Sequence, residues 1–332
     1  MFLAKQTLTI IIPNWNGEKY LEKCLDSIAS SRYETLEIIV VDNGSTNPII
    51  NLELKKCHYV KVINLQDNLG FSAAVNIGIK QAKGEYIAIL NNDTELSPDW
   101  VENVISVFEK NSEAMFITSK IRSFANRDLL DDVGDVILPS GKVYKLGNSE
   151  RDSGQYNELC LVFGASGCAS VYRREFFEKV GFFDEDFFAY LEDIDLSFRA
   201  SLLGYRCLYV PNAVVYHIGS ATTGSRYNKF TVFHHAQNTI NVIVKNYPLR
   251  LILRYLPHIV WYISSMQAYF LTKGLGWTFF KGIVSGIRMI KKMKIKRRDI
   301  MKNRVISDTD LVRIFKDNKK LYLGSKRNIV GG

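Results

Sequence analysis

LEIIVVDNGST, residues 36–46, is the stretch on which the fold turns. Its apolar run is too short for a typical helix and has no second wet face, so it reads as a buried parallel strand over 36–42. The run ends in Asp42, and Asp-Asn-Gly then turns the chain. Working outward, TLTIIIP (7–13) is a strand of the same kind. Between the two, EKYLEKCLDSIAS (18–30) places Tyr20, Leu21, Cys24, Leu25 and Ile28 on one helical face. Downstream, HYVKVINL (58–65) is a third strand, GFSAAVNIGIKQA (70–82) a helix, and EYIAILNND (85–93) a fourth strand. SPDWVENVISVFEK (97–110) predicts a helix with Ser97 as N-cap and Pro98 in its first turn, and AMFITSKI (114–121) a fifth strand. Strand and helix alternate, so the class is α/β: an open, Rossmann-like, mostly parallel sheet with helices on both faces.

Ligands of such sheets bind beyond the carboxyl ends of the strands. The turns expected there are all polar: PNWN after the first strand, DNGST after the second, QDNLGF after the third and NNDTE after the fourth. Residues 123–160 are irregular and read as loops covering that edge. LCLVFGASGCASVYRREFF (159–177) follows as strand, turn and helix. YRCLYVP (205–211) is a further strand, and VVYHIGSATTG (214–224) carries His217. Between them, YLEDIDLSFRA (190–200) crowds Glu192, Asp193 and Asp195 into four positions. Acidic residues suit a helix's first turn, and Asp195 stands i,i+4 from Arg199. That accounts for Glu192 and Asp195 and leaves Asp193 open as a working carboxylate. The same helix puts Leu191, Ile194, Phe198 and Leu202 on one face.

Each candidate has two readings. Asp42 is a turn former or an acceptor for a nucleobase N–H or a ribose. Asp93 is a loop residue or a ligand for a hard cation bridging two phosphates. His217 is a core histidine or a partner in a Mn²⁺ site. No Walker A sequence and no G-x-G-x-x-G occurs, which excludes the P-loop and dinucleotide classes.

The 332 residues are 47% hydrophobic, enough for a real core. Five cysteines without a C-x-x-C pair argue against a zinc ribbon or disulfide scaffold and for a reducing compartment. The N-terminal MFLAKQTLTIIIP reads as the approach to the first strand rather than a signal peptide. Charge is uneven: residues 241–332 hold 20 Lys+Arg and 4 Asp+Glu, a net +16, against −7 for residues 1–240. Bases set among Trp, Phe, Ile and Met favour an anionic membrane over nucleic acid. YLPHIVWYISSMQAYFLT (255–272) lacks charge but is barely long enough to span. Helices lying at the interface are expected, a single span is the alternative, and a packed helix pair with a solvated basic face is the plain reading.

IIIPNWNGEKYLEKCLDSI, EIIVVDNGSTN, NLGFSAAVNIGI, GEYIAILNNDTELSPDWV and GFFDEDFFAYLEDIDLSFRASLLGY together resemble the family 2 inverting glycosyltransferases, in particular the bacterial rhamnosyltransferase-like branch. The resemblance covers roughly residues 7–222. It implies a GT-A catalytic domain over 1–225, a membrane-associating helical region over 226–332, and a divalent cation, Mg²⁺ or Mn²⁺. It implies a nucleotide-sugar donor (dTDP-rhamnose or a UDP-sugar), a lipid-linked saccharide acceptor and a place at the cytoplasmic face of the cell membrane. By position, Trp15 would stack on the base, with Asp42, Asn68, Asn91 and Asn92 as further nucleotide contacts. Asp93 would hold the metal, joined by His217. Asp193 would be the catalytic base, with Glu192 orienting the acceptor or raising the basicity of Asp193. The Q-x-x-R-W signature of processive synthases is absent. A binding protein on a degenerate scaffold and a nucleotidyltransferase are the competing classes.

Overall fold

The structure, a computed structural model, describes residues 8–33, 36–49, 59–219 and 227–331. The alternation over the first half takes the form β1 (Leu8–Asn14), α1 (Glu18–Ala29), β2 (Leu36–Asp42), β3 (Tyr59–Asn64), α2 (Phe71–Gln81), β4 (Tyr86–Leu90), β5 (Thr94–Leu96), α3 (Trp100–Lys110) and β6 (Phe116–Ser123). Then come β7 (Leu130–Asp132), β8 (Asp135–Ile137), β9 (Val143–Lys145), β10 (Cys160–Val162), β11 (Ala169–Arg173), α4 (Arg174–Val180), a 3₁₀ turn (Glu185–Phe187), α5 (Glu192–Leu202) and β12 (Cys207–His217). The chain closes with α6 (Lys229–Asn246), α7 (Leu249–Thr272), α8 (Gly276–Asn303) and α9 (Asp308–Gly331).

One mixed sheet has the order β10-β12-β6-β11-β4-β1-β2-β3. Six of its seven long strands point the same way, and β11 runs against β4 and β6 on either side. Apolar residues fill both sheet faces because successive side chains of a strand point to opposite sides. Ile10, Ile12, Ile38 and Val40 meet Leu21, Leu25 and Ile28 of α1 and Trp100 and Val104 of α3. Ile11, Ile39, Val41 and Ile89 meet Ala74 and Val75 of α2, and Phe176 of α4 and Leu196 of α5 pack on the same side.

Three local expectations are corrected. The fourth strand stops at Leu90; Asn91–Asp93 turn outward, and the chain re-enters the sheet as β5 against β12. The third helix starts at Trp100 with Asp99 in the cap position, because Ser97 accepts the Trp100 N–H in a turn rather than capping the helix. Residues 123–160 are not all loop: β7 pairs with β6, and β8 and β9 form a hairpin against the site edge.

The C-terminal helices pack into the body. Val242, Ile243, Tyr247, Leu311 and Phe315 share a core with Phe163, Ile194, Phe198 and Leu202. Lys245 of α6 is buried between Asp184 and Asp195, at 2.6 and 2.7 Å. Among the described residues no helix is long and apolar enough to cross a membrane, so the single-span alternative falls. Pro257 sits inside α7, and Arg250 and Arg254 interrupt its apolar content. The expected boundary at residue 225 lies outside the described residues.

Candidate functional site

The turns at the carboxyl ends of β1, β2, β3 and β4 converge. Asp42, 1% exposed, accepts from Asn14 Nδ2 at 3.0 Å and from the Ser45 hydroxyl, both through Oδ1. Its Oδ2 is buried without a partner. An unmet buried acceptor costs free energy that a ligand N–H would recover. Asn14 Oδ1 in turn accepts from Asn92 Nδ2 at 2.6 Å. Gly17 passes so close that a Cβ there would lie 2.1 Å from Asn92 Nδ2, so this crossing requires glycine. Trp15 stands at the rim, 39% exposed, with a ring face available for stacking. Asn68 is used by the protein itself: its Oδ1 accepts from Asn43 Nδ2 and the Gly70 N–H, both at 2.9 Å, tying the β2 and β3 turns together. Asn91 contributes backbone, its N–H bonding to the Cys168 carbonyl at 2.9 Å.

The re-entry of the chain as β5 sets Thr94 opposite His217 of β12, which brings Asp93 to the same histidine. His217 Nε2 lies 3.3 Å from Asp93 Oδ1, and Nδ1 lies 2.7 Å from Asp131 Oδ2. Burial alone would raise the Asp93 carboxyl, but the hydrogen bond and charge of His217 hold it below the usual range. Burial opposes the His217 imidazolium, yet Cys168, Asp131 and Asp93 raise it well above an ordinary histidine. Asp93 and His217, once Nε2 has given up its proton, would suit a hard divalent cation. Asp131 fixes the ring by its other nitrogen, the arrangement metal-bound histidines use. Among the described residues no third His, Cys, Asp or Glu completes a cluster, so other positions would fall to phosphate oxygens or water.

Asp193, at the start of α5, reaches the same edge. Its Oδ2 accepts the Gly167 N–H at 3.0 Å and its Oδ1 the Ile194 N–H at 2.8 Å. Burial raises its pKa, and those two N–H groups and Lys145 restrain the rise. Glu192, buried beside it with Oε2 unpartnered, is pushed well above the carboxylate range by burial and by Asp193. Of the two, Glu192 is pushed up further by burial and by its neighbour, while two backbone N–H groups favour the Asp193 carboxylate. Asp195 points away, bonded to Arg199 Nε at 3.0 Å, Lys245 and Asn246 Nδ2 at 2.8 Å. Lys245 and Arg199 outweigh burial and hold its pKa low, as befits a structural ion pair.

Sequence reading missed Asp131, Asp132, Asp135 and Lys145, which stood in a stretch taken for loop. The Lys145 ammonium is 3.5 Å from Asp132 and 3.9 Å from Asp131, with its side chain 40% open to the cleft. Those acids and Asp135 outweigh burial and keep it cationic. The visible signal was a cluster of acids, DDVGD (131–135), ending ten residues before Lys145 in KVYKLG (142–147).

An open sheet of this order, with carboxylates gathered beyond its parallel strands, is the architecture of GT-A nucleotide-sugar enzymes, and similar solved folds agree. GalNAc-T7, solved with UDP, GalNAc and Mn²⁺, superposes with a TM-score of 0.56 at 20% identity, over 72% of this chain and 48% of that one. A mannosyltransferase from Pyrobaculum calidifontis, solved with GDP-Man and Mn²⁺, gives 0.51 at 15% identity, over 90% of this chain and 86% of that one. The chain belongs to glycosyl transferase family 2, whose model matches residues 9–181. It is 28% identical over 233 residues to an uncharacterized glycosyltransferase of Haemophilus influenzae, covering 67% of this chain and 68% of that protein. It is 27% identical over 219 residues to a poly-beta-1,6-N-acetyl-D-glucosamine synthase of Staphylococcus epidermidis, covering 65% of this chain but 51% of the synthase, so it spans about half of that relative's length. The family match includes Trp15, Asp42, Asn68 and Asn91–Asp93 and stops short of Glu192, Asp193 and His217.

Proposed function

We propose that this chain transfers a sugar with inversion from a nucleotide-sugar donor to a lipid-linked saccharide during cell-surface polysaccharide synthesis. One observation carries the reading: Asp42 with a free buried Oδ2, Asp93 paired to His217, and Asp193 held by two backbone N–H groups all meet at one sheet edge. Asp42 accepts a base N–H while Trp15 stacks on the ring. Asp93 and His217 hold the cation, Mg²⁺ or Mn²⁺. When bound, such a cation neutralises charge on the departing diphosphate. Asp193 takes the proton of the acceptor hydroxyl, which is too weak a nucleophile otherwise. Attack comes from the face opposite the leaving group, so the anomeric configuration inverts. Glu192, protonated, is a hydrogen-bond donor beside the acceptor.

The neighbours' ligands make UDP-sugars and GDP-mannose the first donors to screen, and the rhamnosyltransferase-like motifs keep dTDP-rhamnose among them. Purified protein with Mn²⁺ is incubated with each donor, and release of nucleoside diphosphate is followed. A binding protein on this scaffold releases none from any donor, and that result would overturn the transferase reading.

The acceptor side rests on α7 and α8. Residues 249–298 contain 11 Lys+Arg and no acid. Leu253, Val260 and Trp261 of α7 and Trp277 and Phe280 of α8 are exposed, Trp261 at 77% and Trp277 at 67%. Lys292 and Lys296 pair with Asp184 and Asp186, and the exposed aromatic and aliphatic residues among the other bases complement an anionic bilayer surface. The protein then sits on the cytoplasmic face of the membrane and meets its lipid-linked acceptor there. Intact protein should float with anionic liposomes at low salt, and W261E/W277E should not. Wild-type protein left in the soluble fraction would sink this half of the proposal.

A further inference from the structure

Immediately before Glu192 and Asp193 the backbone enters conformations that L-residues avoid. Phe188 lies at φ 59°, ψ −66°, and the Ala189 N–H reaches the Phe187 carbonyl at 2.6 Å. This is a γ-turn of the rare, strained hand. Tyr190 and Leu191 follow at φ 69° and 64°, and Leu191 is the cap residue of α5. Strain of this kind persists only where the surroundings over-determine it.

The surrounding group is Asn238 of α6, a fully buried side chain. Its Nδ2 donates to the carbonyls of Phe187, Ala189 and Tyr190 at 2.8, 3.0 and 2.7 Å. Its Oδ1 accepts from Asn241 Nδ2 at 3.2 Å and Gln237 Nε2 at 3.4 Å, which fixes which end of the amide faces the loop. Gln237 Oε1 in turn accepts from Ser285 Oγ of α8 at 2.7 Å. The loop is also tied to α2, whose Ser72 N–H donates to the Phe188 carbonyl at 3.3 Å. The residues that would do the chemistry are thus set by a helix lying outside the matched family region, which ends at residue 181.

We propose that Asn238 is a positioning residue for the transfer, clamping the left-handed loop 187–191 so that α5 presents Asp193 to the acceptor. The proposal rests on Asp193 being the base. It accounts for a buried amide in the middle of α6, where an apolar residue would otherwise pack without unmet polar groups. It also separates the roles of α6: Lys245 secures the fold through Asp184 and Asp195, while Asn238 secures the loop.

The test uses the full chain and Asn238→Asp, which keeps the shape but removes the N–H donors. Hydrogen exchange read by mass spectrometry should be about ten- to a hundredfold faster over 186–195 and unchanged in the sheet. Binding of UDP with Mn²⁺, measured by calorimetry, should stay within about twofold, because Asp42 and Asp93 lie on other elements. Turnover of UDP-GlcNAc, or of whichever donor the screen identifies, should lose at least about tenfold in kcat with KM little changed. Asn241→Ala, which removes a donor to Asn238 Oδ1 together with a contact to Met289 Sδ and leaves the Asn238 N–H donors in place, should move exchange of the same peptides about two- to fivefold and serves if Asn238→Asp does not fold. Loop exchange equal to wild type, or acceleration spread evenly over the sheet, would overturn the clamp. A loosened loop with undiminished kcat would overturn its link to catalysis. If wild-type protein turns over no donor, the functional reading fails, and the exchange result still decides the clamp.

Discussion

Asp193→Asn conserves shape and removes the carboxylate proposed to accept the acceptor's proton. The carboxylate accepts two backbone N–H bonds, from Gly167 at 3.0 Å and Ile194 at 2.8 Å. An amide can answer only one of them with its oxygen; its NH₂ then faces the other donor, at a cost of about 1–3 kcal/mol. Against this, the variant no longer holds a buried carboxylate beside Glu192, which offsets part of that cost. Stability should therefore change by no more than about 2 kcal/mol, and the protein should fold. Loss of a general base removes about 10²- to 10⁴-fold of rate, or about 3–5 kcal/mol of barrier lowering. The assay is transfer, or slow donor hydrolysis, at saturating Mn²⁺, with UDP affinity measured alongside and expected to be unchanged. The pH profile supplies a second reading. Burial raises Asp193 above an ordinary aspartate, so wild-type activity should fall with decreasing pH at a point above about 3.9. That limb should vanish from the variant's residual rate. A folded variant within about threefold of the wild-type rate would show that the base is elsewhere.

Asp93→Ala should abolish Mn²⁺-dependent UDP binding in calorimetry, and His217→Ala should weaken it less; affinity untouched by the first change would return Asp93 to a turn role. Asp131→Asn, which removes the carboxylate holding His217 Nδ1 and weakens its longer contact to Lys145, should lower Mn²⁺ affinity about 10- to 100-fold, read by metal titration of UDP binding. Asp195→Ala leaves the buried Lys245 with Asp184 alone and Arg199 without its carboxylate, and should cost about 3–5 kcal/mol in urea unfolding. Because Asp195 is held below its ordinary pKa in the fold, its stabilisation is complete above about pH 4 and is lost as pH falls through the lowered value. The variant should lack that acid dependence, and an unchanged acid midpoint would refute the ion-pair account.

The α/β class, the succession of strands and helices in the first half and the polar turns at the strand ends were legible because they depend on local patterning. LEIIVVD is buried on both faces, and a run of that kind needs no tertiary information to be recognised. The apolar face of α5 and the Asp195–Arg199 pair were legible for the same reason: a helix brings i, i+3 and i+4 together by itself. Asp42, Asp93 and Asp193 were singled out because carboxylates after apolar strands or at a helix start have few plain uses once the motifs stand together.

What the tertiary structure decided is everything that depends on residues far apart in the chain. Asp93 and His217 meet only because the chain leaves the sheet after Leu90 and re-enters beside β12, a register that no local pattern encodes. Asp131 joins that group on β7, paired to β6, and Lys145 on the β8–β9 hairpin, elements too short to declare themselves in sequence. The C-terminal region read as a basic, greasy tail; the structure divides it into Tyr247, Leu311 and Phe315 packed in the core and Trp261 and Trp277 left outside. Composition cannot make that division, since the same apolar side chain is stabilised by a core or by a membrane. Nor could it show Asn238 closing on three carbonyls some fifty residues away, because hydrogen-bond partners of a buried amide are chosen by packing.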